Sequence, residues 1–471
     1  MAPAGEAQLA KVYHNTHAPL TDNKQKVLVK FTAPETPSGD TAEVDFVFVL
    51  DTSGSMGGSR LKQMHAAMDF VLGKLGDNDK IAIVNFSSEA HTNGYNAPKP
   101  FDENKKDAKK LVDGLHAKGD TNIEEGLRAA IKILDKGRRG WDKKRASCIF
   151  LMSDGVQNRG DARKVFGELP NWTVHTFGFG EKHDETLLWE IAQKSHAGVY
   201  HHVLDEGEVT NYLTKAFASL ALYRSISVMG LQVTLIPKEE DKFTIVHVDA
   251  GGYHVDHPKD SPTSWTIHFG DLAREENRRV LVELKVLGVS KKEDPKPVIQ
   301  VKYAYNYPAN KKNNKERPEE MKGPKHPLFV KIGRDDAKAS PDMNPDVQRE
   351  EARNKQADYI EEMLKLADKE KKVDGAKRKL STAKNELSGL DDPKGEFVLD
   401  ALHAELGNIG DFLKSYDVYK KLGRAYMLSC LSSHRRQRYT ERGGVDGVPL
   451  FLTKRLTKYH DHADKHHKST K

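Results

Sequence analysis

Oxygen-bearing side chains crowd one short stretch of this chain. The apolar run Val47-Phe48-Val49-Leu50 ends in Asp51-Thr52-Ser53-Gly54-Ser55, which sets a carboxylate beside two serine hydroxyls placed two residues apart. If the loop is tight, Ser53 and Ser55 aim at one point next to Asp51, and Gly54 with Gly57-Gly58 supplies the backbone freedom that tightness needs. A hard divalent cation such as Mg²⁺ takes about six oxygens in an octahedron, and this turn can offer three of those positions. Two more oxygens stand far away in sequence. Thr121 lies in Lys118-Gly119-Asp120-Thr121-Asn122, just before a helical pattern, and Asp154 follows the run Ile149-Phe150-Leu151-Met152 in Ser153-Asp154-Gly155.

For these five residues to meet, the elements carrying them must end at one edge. Between Glu43 and about Leu222, apolar runs of strand length at Val44–Leu50, Ile81–Phe86, Ser147–Met152, Thr173–Phe179 and Val199–Val203 alternate with helical patterns. Those patterns include Leu61, Met64, Met68, Val71, Leu72 and Leu75, then Ile123, Leu127, Ala130, Ile131 and Leu134. Continuous apolar strands separated by helices predict a doubly wound α/β domain with a mostly parallel sheet. Ligands of such sheets bind at the carboxyl ends of the strands, where Asp51, Thr121 and Asp154 all fall.

With 471 residues, the chain exceeds the roughly 250–300 that one core supports, so about three domains are expected. Residues 1–40 read as an extension with one strand around Val27-Leu28-Val29-Lys30-Phe31, and residues 41–223 as the α/β domain. Residues 224–307 shift to a period of two and predict a small antiparallel β-sandwich, which can take in the 1–40 strand. Residues 308–344, rich in Lys, Asn, Glu and Pro, read as a linker.

Asn344-Pro345 then opens a helical domain over 345–430, with an antiparallel hairpin and a later helix broken near Gly407–Gly410. Residues 431–471 carry ten Lys/Arg against four Asp/Glu and read as a basic, solvated tail, since the rest of the chain balances at 65 of each sign.

Only two cysteines occur, Cys148 and Cys430, so neither a disulfide framework nor a thiolate zinc site is expected. Apolar runs stay far short of the about 20 residues that span a bilayer, and a cytoplasmic or nuclear location is expected. No nucleic-acid partner is expected from a charge balance whose excess sits in one tail.

Other chemistries fit less well. An aspartic-protease loop needs a second copy and an all-β fold, and a phosphate cradle lacks a Gly-Lys-Ser/Thr ending. Helix capping explains any one of the five residues but not the set. His201-His202 sit on a strand and point to opposite faces, so they do not easily share a metal. His460-Asp461-His462 reads as an adventitious binder.

The pattern Asp51-x-Ser53-x-Ser55, Thr121 and Ser153-Asp154-Gly155 resembles the metal-ion-dependent adhesion site of von Willebrand factor type A domains, and the resemblance covers about residues 40–222. Asp79–Ser87 and His175–Gly180 extend it. The whole chain is similar to a plant family in which this domain often follows a RING finger, but the eight Cys/His ligands of a RING are lacking here. Where that family usually has two glycines before the threonine, this chain has Gly119-Asp120.

The resemblance implies direct metal ligation by Ser53 and Ser55, direct or water-mediated ligation by Thr121, and water-mediated roles for Asp51 and Asp154. It leaves one coordination position for a partner's carboxylate. The function expected is therefore non-catalytic: metal-dependent binding of a protein that presents an Asp or Glu, with Mg²⁺ favoured and Ca²⁺ or Mn²⁺ possible. The alternative is a substrate-recognition or regulatory component of a ubiquitin-ligase assembly, paired with RING-bearing relatives.

Overall fold

A computed structural model describes residues 9–35, 42–138, 145–204, 215–216, 225–239, 241–257, 264–306, 327–390, 398–445 and 450–469. Three sheets organise them. The first holds β4 (Val44–Asp51), β5 (Lys80–Phe86), β6 (Ala90–His91), β7 (Lys99–Pro100), β8 (Ala146–Ser153), β9 (Thr173–Phe179) and β10 (Tyr200–Val203), in the order β10-β9-β8-β4-β5-β6, with β7 also on β5. The five longer strands run parallel, and β6 and β7 are antiparallel to β5.

Every residue of β4 is buried, as a central strand covered on both faces requires. The covering helices are α1 (Ser59–Leu72), α2 (Phe101–Asp113), α3 (Ile123–Arg138) and α4 (Glu185–Lys194). The doubly wound α/β domain expected from the alternation is present, with each expected strand found to within two residues.

The second and third sheets are built from β1 (Ala10–Tyr13), β2 (His17–Ala18), β3 (Asn23–Thr32), β11 (Ile226–Pro237), β12 (Phe243–Asp249), β13 (His254–Asp256), β14 (Trp265–Ala273), β15 (Asn277–Val286), β16 (Glu293–Asn306) and β17 (Leu328–Arg334). Their orders are β1-β3-β15-β12 and β13-β14-β11-β16-β17-β2. Val29 and Phe31 of one sheet share an apolar cluster with Val233, Phe269, Val301 and Val330 of the other. The Phe31 ring meets Tyr303 edge-on at 5.6 Å.

Two expectations need correction here. The described residues of 1–40 hold three strands where one was expected, because β1 and β3 pair with each other and β2 joins β17. The linker read over 308–344 contains β17, whose Val330 and Ile332 alternate into the core. The lysines, prolines and asparagines around that strand mask a short apolar alternation that only a sheet neighbour makes worth burying.

The α/β domain is an insertion between β3 and β11. Its incoming and outgoing flanks land on one turn: the Glu275 amide donates to Ala33 O at 3.1 Å, Ala33 N donates to Glu276 O at 2.9 Å, and the Arg274 amide donates to Ser225 O at 2.9 Å.

The helical part starts at α5 (Pro345–Glu370), where the Asn344 side chain accepts from the Asp346 amide as an N-cap should. α6 (Asp374–Ser388) returns antiparallel, as the pairs Tyr359 with Glu386 and Lys379 with Glu362 show. In α7 (Val398–Phe412) the expected break is absent, and Gly407 and Gly410 lie inside the helix. Burial of Leu402, Leu406 and Ile409 offsets the roughly 1 kcal/mol each glycine costs. The break comes later, at Leu413–Ser415, followed by a π-helical turn at Tyr419–Gly423 and by α8 (Arg424–Arg436).

The tail read as solvated from residue 431 is instead buried at its start. Arg436, Gln437, Arg438, Thr440, Glu441 and Arg442 are all less than 9% exposed. Arg436 donates to the carbonyls of Gln193 in the last turn of α4 and Ser195 just past it, at 2.6 and 2.8 Å, and to those of His196 and Gly252. Thr440–Gly443 lies along β10, with His202 N donating to Glu441 O at 3.0 Å and Gly443 N to His202 O at 2.8 Å. This covers a sheet edge that would otherwise present unpaired amides.

Candidate metal centre

Register brings the pieces together. β4 pairs with β5 up to Asp51 opposite Phe86, and with β8 up to Leu50 opposite Met152, so Asp51 and Ser153-Asp154 leave the sheet side by side. Three cross-links then gather the loops. Gly54 N donates to Gly119 O at 3.0 Å, Lys118 N to Thr52 O at 2.8 Å, and Thr121 N to the Asn158 side chain at 2.8 Å. Gly119 holds φ +77°, and a Cβ there would fall 2.8 Å from Ser88 Oγ, so glycine is required.

Inside this frame Asp51 is fully buried. One of its oxygens accepts from the Ser53 amide at 2.8 Å and the other from the Ser153 hydroxyl at 2.6 Å. Burial pushes its carboxyl up to about 6, with the charge of Asp154 adding to the rise and the hydrogen bonds from Ser153 and Ser53 opposing it. Ser55 Oγ donates to Asp154 Oδ1 at 2.7 Å. Ser53 Oγ and Ser55 Oγ lie 3.0 Å apart, in hydrogen-bond contact. A Cβ built on Gly155 would lie 3.2 Å from both Ser55 Oγ and Thr121 Oγ1, which places these two hydroxyls around one point.

All five residues singled out by sequence, Asp51, Ser53, Ser55, Thr121 and Asp154, are thus drawn to one sheet edge. They fit a divalent cation on two grounds. The donors are all oxygens, as a hard ion demands, and Asp51 is a desolvated carboxylate whose ionisation a cation would relieve. Among the described residues no group of three or more His, Cys, Asp or Glu side chains converges, so a nitrogen or sulfur site of the zinc type has no counterpart there.

Asp120 stands at the exposed rim. Its carboxylate accepts from Ser88 Oγ at 3.1 Å and lies 3.8 Å from Arg159. His201 and His202 are both buried, and His201 Nδ1 accepts from the Glu441 amide at 3.0 Å.

Sequence reading missed Arg60, whose Nη1 donates to Asp154 Oδ2 at 2.7 Å. The available signal was a cation in the first turn of α1, where the helix dipole disfavours positive charge and no acidic residue offsets it. An arginine in that place asks for a carboxylate from elsewhere.

Comparison with known proteins agrees with this architecture. Residues 45–215 match the family model described as von Willebrand factor type A domain, and residues 396–465 match one described as VWA / Hh protein intein-like. The chain is 26% identical over 186 residues to inter-alpha-trypsin inhibitor heavy chain H3 of Mus musculus, covering 38% of this chain and 21% of that one. It is 34% identical over 135 residues to heavy chain H4 of Sus scrofa, covering 28% and 14%. The chain therefore spans about a fifth or less of these curated relatives.

Among solved structures, a von Willebrand factor type A protein from Catenulispora acidiphila shares the fold over 92% of this chain and 97% of its own, with a TM-score of 0.67 at 17% identity. The ArnB paralog VWA2 from Sulfolobus acidocaldarius does so over 91% and 98%, with a TM-score of 0.55 at 13% identity. This chain carries a von Willebrand factor type A domain at residues 45–215.

Proposed function

We propose that this protein is a non-catalytic interaction module that binds a partner protein's Asp or Glu carboxylate through a divalent cation, with Mg²⁺ favoured and Ca²⁺ or Mn²⁺ as alternatives. The observation that carries the reading is the convergence of Asp51, Ser53, Ser55, Thr121 and Asp154 from three loops onto one sheet edge. The cation would supply a positive centre with a coordination position left for an anionic oxygen.

The chain's own hydrogen bonds sort the ligands. Each oxygen of Asp51 and of Asp154 already accepts a bond from within the chain. In this reading the hydroxyls of Ser53 and Ser55 serve as direct ligands and Thr121 ligates directly or through water, while the two aspartates orient serines and bound water. The two sheets that share a core serve, in this reading, as an antiparallel β-sandwich that carries the domain.

Isothermal titration of Mg²⁺ into the wild-type chain and Asp51→Ala tests the metal. Binding by the wild type alone is expected, and equal heats from both would sink the reading. Partners captured in Mg²⁺ should be released by EDTA. The ligase-assembly alternative draws on the resemblance to the plant family alone, and co-purification with a RING-bearing relative irrespective of EDTA is the outcome that would favour it.

A further inference from the structure

We propose, on the metal reading above, that Val156 selects the partner: the segment bound at this edge carries an aliphatic side chain within two residues of the Asp or Glu that reaches the cation.

Val156 directly follows Gly155, whose Cβ position lies 3.2 Å from both Ser55 Oγ and Thr121 Oγ1. The residues on its N-terminal side, Ser153, Asp154 and Gly155, are buried, and there the chain turns outward. Val156 is 59% exposed, the most of the four large apolar side chains left open among the described residues. The other three, Val246, Met343 and Val418, belong to the sheets and the helical part, so Val156 is the open apolar side chain of the α/β domain.

A single exposed valine is ordinary on a protein surface, and one in a loose loop would carry no meaning. This loop is tied on both sides of Val156. The Asp184 amide donates to Gly155 O at 3.3 Å, and the amides of Asn158 and Arg159 donate to Thr121 O at 3.2 and 3.3 Å. Gln157 Oε1 accepts from the Ala162 amide at 2.9 Å, and Asn158 Oδ1 from the Thr121 amide at 2.8 Å. Val156 is therefore held in place before any partner arrives. Covering a pre-ordered side chain loses little conformational entropy, so the gain from burying its methyls is largely kept.

Spacing sets where the partner's apolar group must stand. Val156 is one residue beyond the glycine that lines the site, and consecutive Cα atoms are about 3.8 Å apart. In an extended segment, side chains two residues apart share one face at roughly 7 Å, and a turn brings immediate neighbours together. An aliphatic group at either distance from the acid meets Val156 while the carboxylate meets the cation.

The probe is an array of Gly/Ser peptides with one central Asp. Leu, Ser or Lys is placed in turn at every position within two residues of it. The full chain, biotinylated and tetramerised on streptavidin so that weak contacts register, is applied in Mg²⁺ and in EDTA. Wild type, Val156→Ser and Val156→Leu are compared, and thermal melts confirm that each is folded.

In Mg²⁺ the wild type should favour Leu over Ser about five-fold at one or more of these positions. Val156→Ser should lose that preference and Val156→Leu should keep it. The comparison is between two peptides on the same variant, so any change in metal affinity cancels. Equal binding of Leu and Ser peptides by the wild type, or a preference that survives in Val156→Ser, overturns the role of Val156 and leaves the metal reading standing. Binding of no Asp peptide, or the same binding in EDTA, overturns the metal reading and the selection by Val156 together.

Discussion

Arg442 reaches from the edge of the α/β sheet to Glu405 on α7, and both side chains are buried. Burial alone would raise the Glu405 carboxyl, but the charges of His434 and Arg442 outweigh it and hold the group well below the usual carboxylate range. His434 Nε2 at 2.7 Å and Gln356 Nε2 at 2.6 Å also bond this carboxylate. Arg442→Ala strands this carboxylate, and a loss of about 3–5 kcal/mol is expected by urea denaturation. Pairing it with Glu405→Gln should recover part of that loss, because the buried charge is then gone. A double mutant no more stable than the single one would show that packing, not charge, is what Arg442 contributes.

Arg436 is a second buried arginine with a different task. Its guanidinium satisfies carbonyls of Gln193, Ser195, His196 and Gly252, and burial lowers its pKa to about 10. Arg436→Met should cost about 3 kcal/mol or more, since several carbonyls lose a charged donor at once. Limited proteolysis should then cut between the α/β domain and the sheets well before either unfolds. Protection equal to wild type would count against the clamp.

Gly155 tests the site with every ligand residue left in place. An alanine methyl there would sit 3.2 Å from Ser55 Oγ and Thr121 Oγ1. Gly155→Ala is expected to weaken Mg²⁺ binding by at least ten-fold, roughly the effect of about 1.4 kcal/mol, with little change in melting temperature. Calorimetry and a thermal melt on the same sample check both halves.

Acid should weaken the fold through buried histidines. Burial lowers His201 to about 3, and its Nδ1 must stay unprotonated to accept the Glu441 amide. As pH falls below about 6.5, the unfolded chain takes up a proton that the folded chain refuses, so stability drops by about 1.4 kcal/mol per pH unit for each such group until the folded pKa is reached. His175 and His202, also driven down by burial, add to the slope. Urea midpoints at pH 7, 6 and 5 should fall steadily, and His201→Asn should flatten the fall by one proton's worth.

The site was legible because it obeys local rules. Asp51 and Asp154 close apolar runs, Thr121 precedes a helix, and a doubly wound sheet sends all three to one edge. The arginines of residues 436–442 were not legible, because what buries them is supplied from far away: carbonyls at the end of α4, a carboxylate on α7, and Glu276 3.1 Å from Arg438. Charge counts register a basic segment and cannot register acceptors folded in from elsewhere. The same holds for β17, whose partners β16 and β2 lie on either side of the inserted domain in sequence. Arg60 falls between these cases, since its place in a helix is legible while its partner Asp154 is 94 residues away.

The shared turn at Arg274–Glu276 has a consequence for how the chain is made. Thr32 meets Asn277 across 245 residues of sequence, so β3 emerges from synthesis long before its neighbour β15 exists. The von Willebrand domain draws its sheet from residues within its own span and can close first, after which its two flanks are brought side by side and β3 has little distance left to search. The domain that bears the candidate site thus also acts as the loop-closer for the body that carries it.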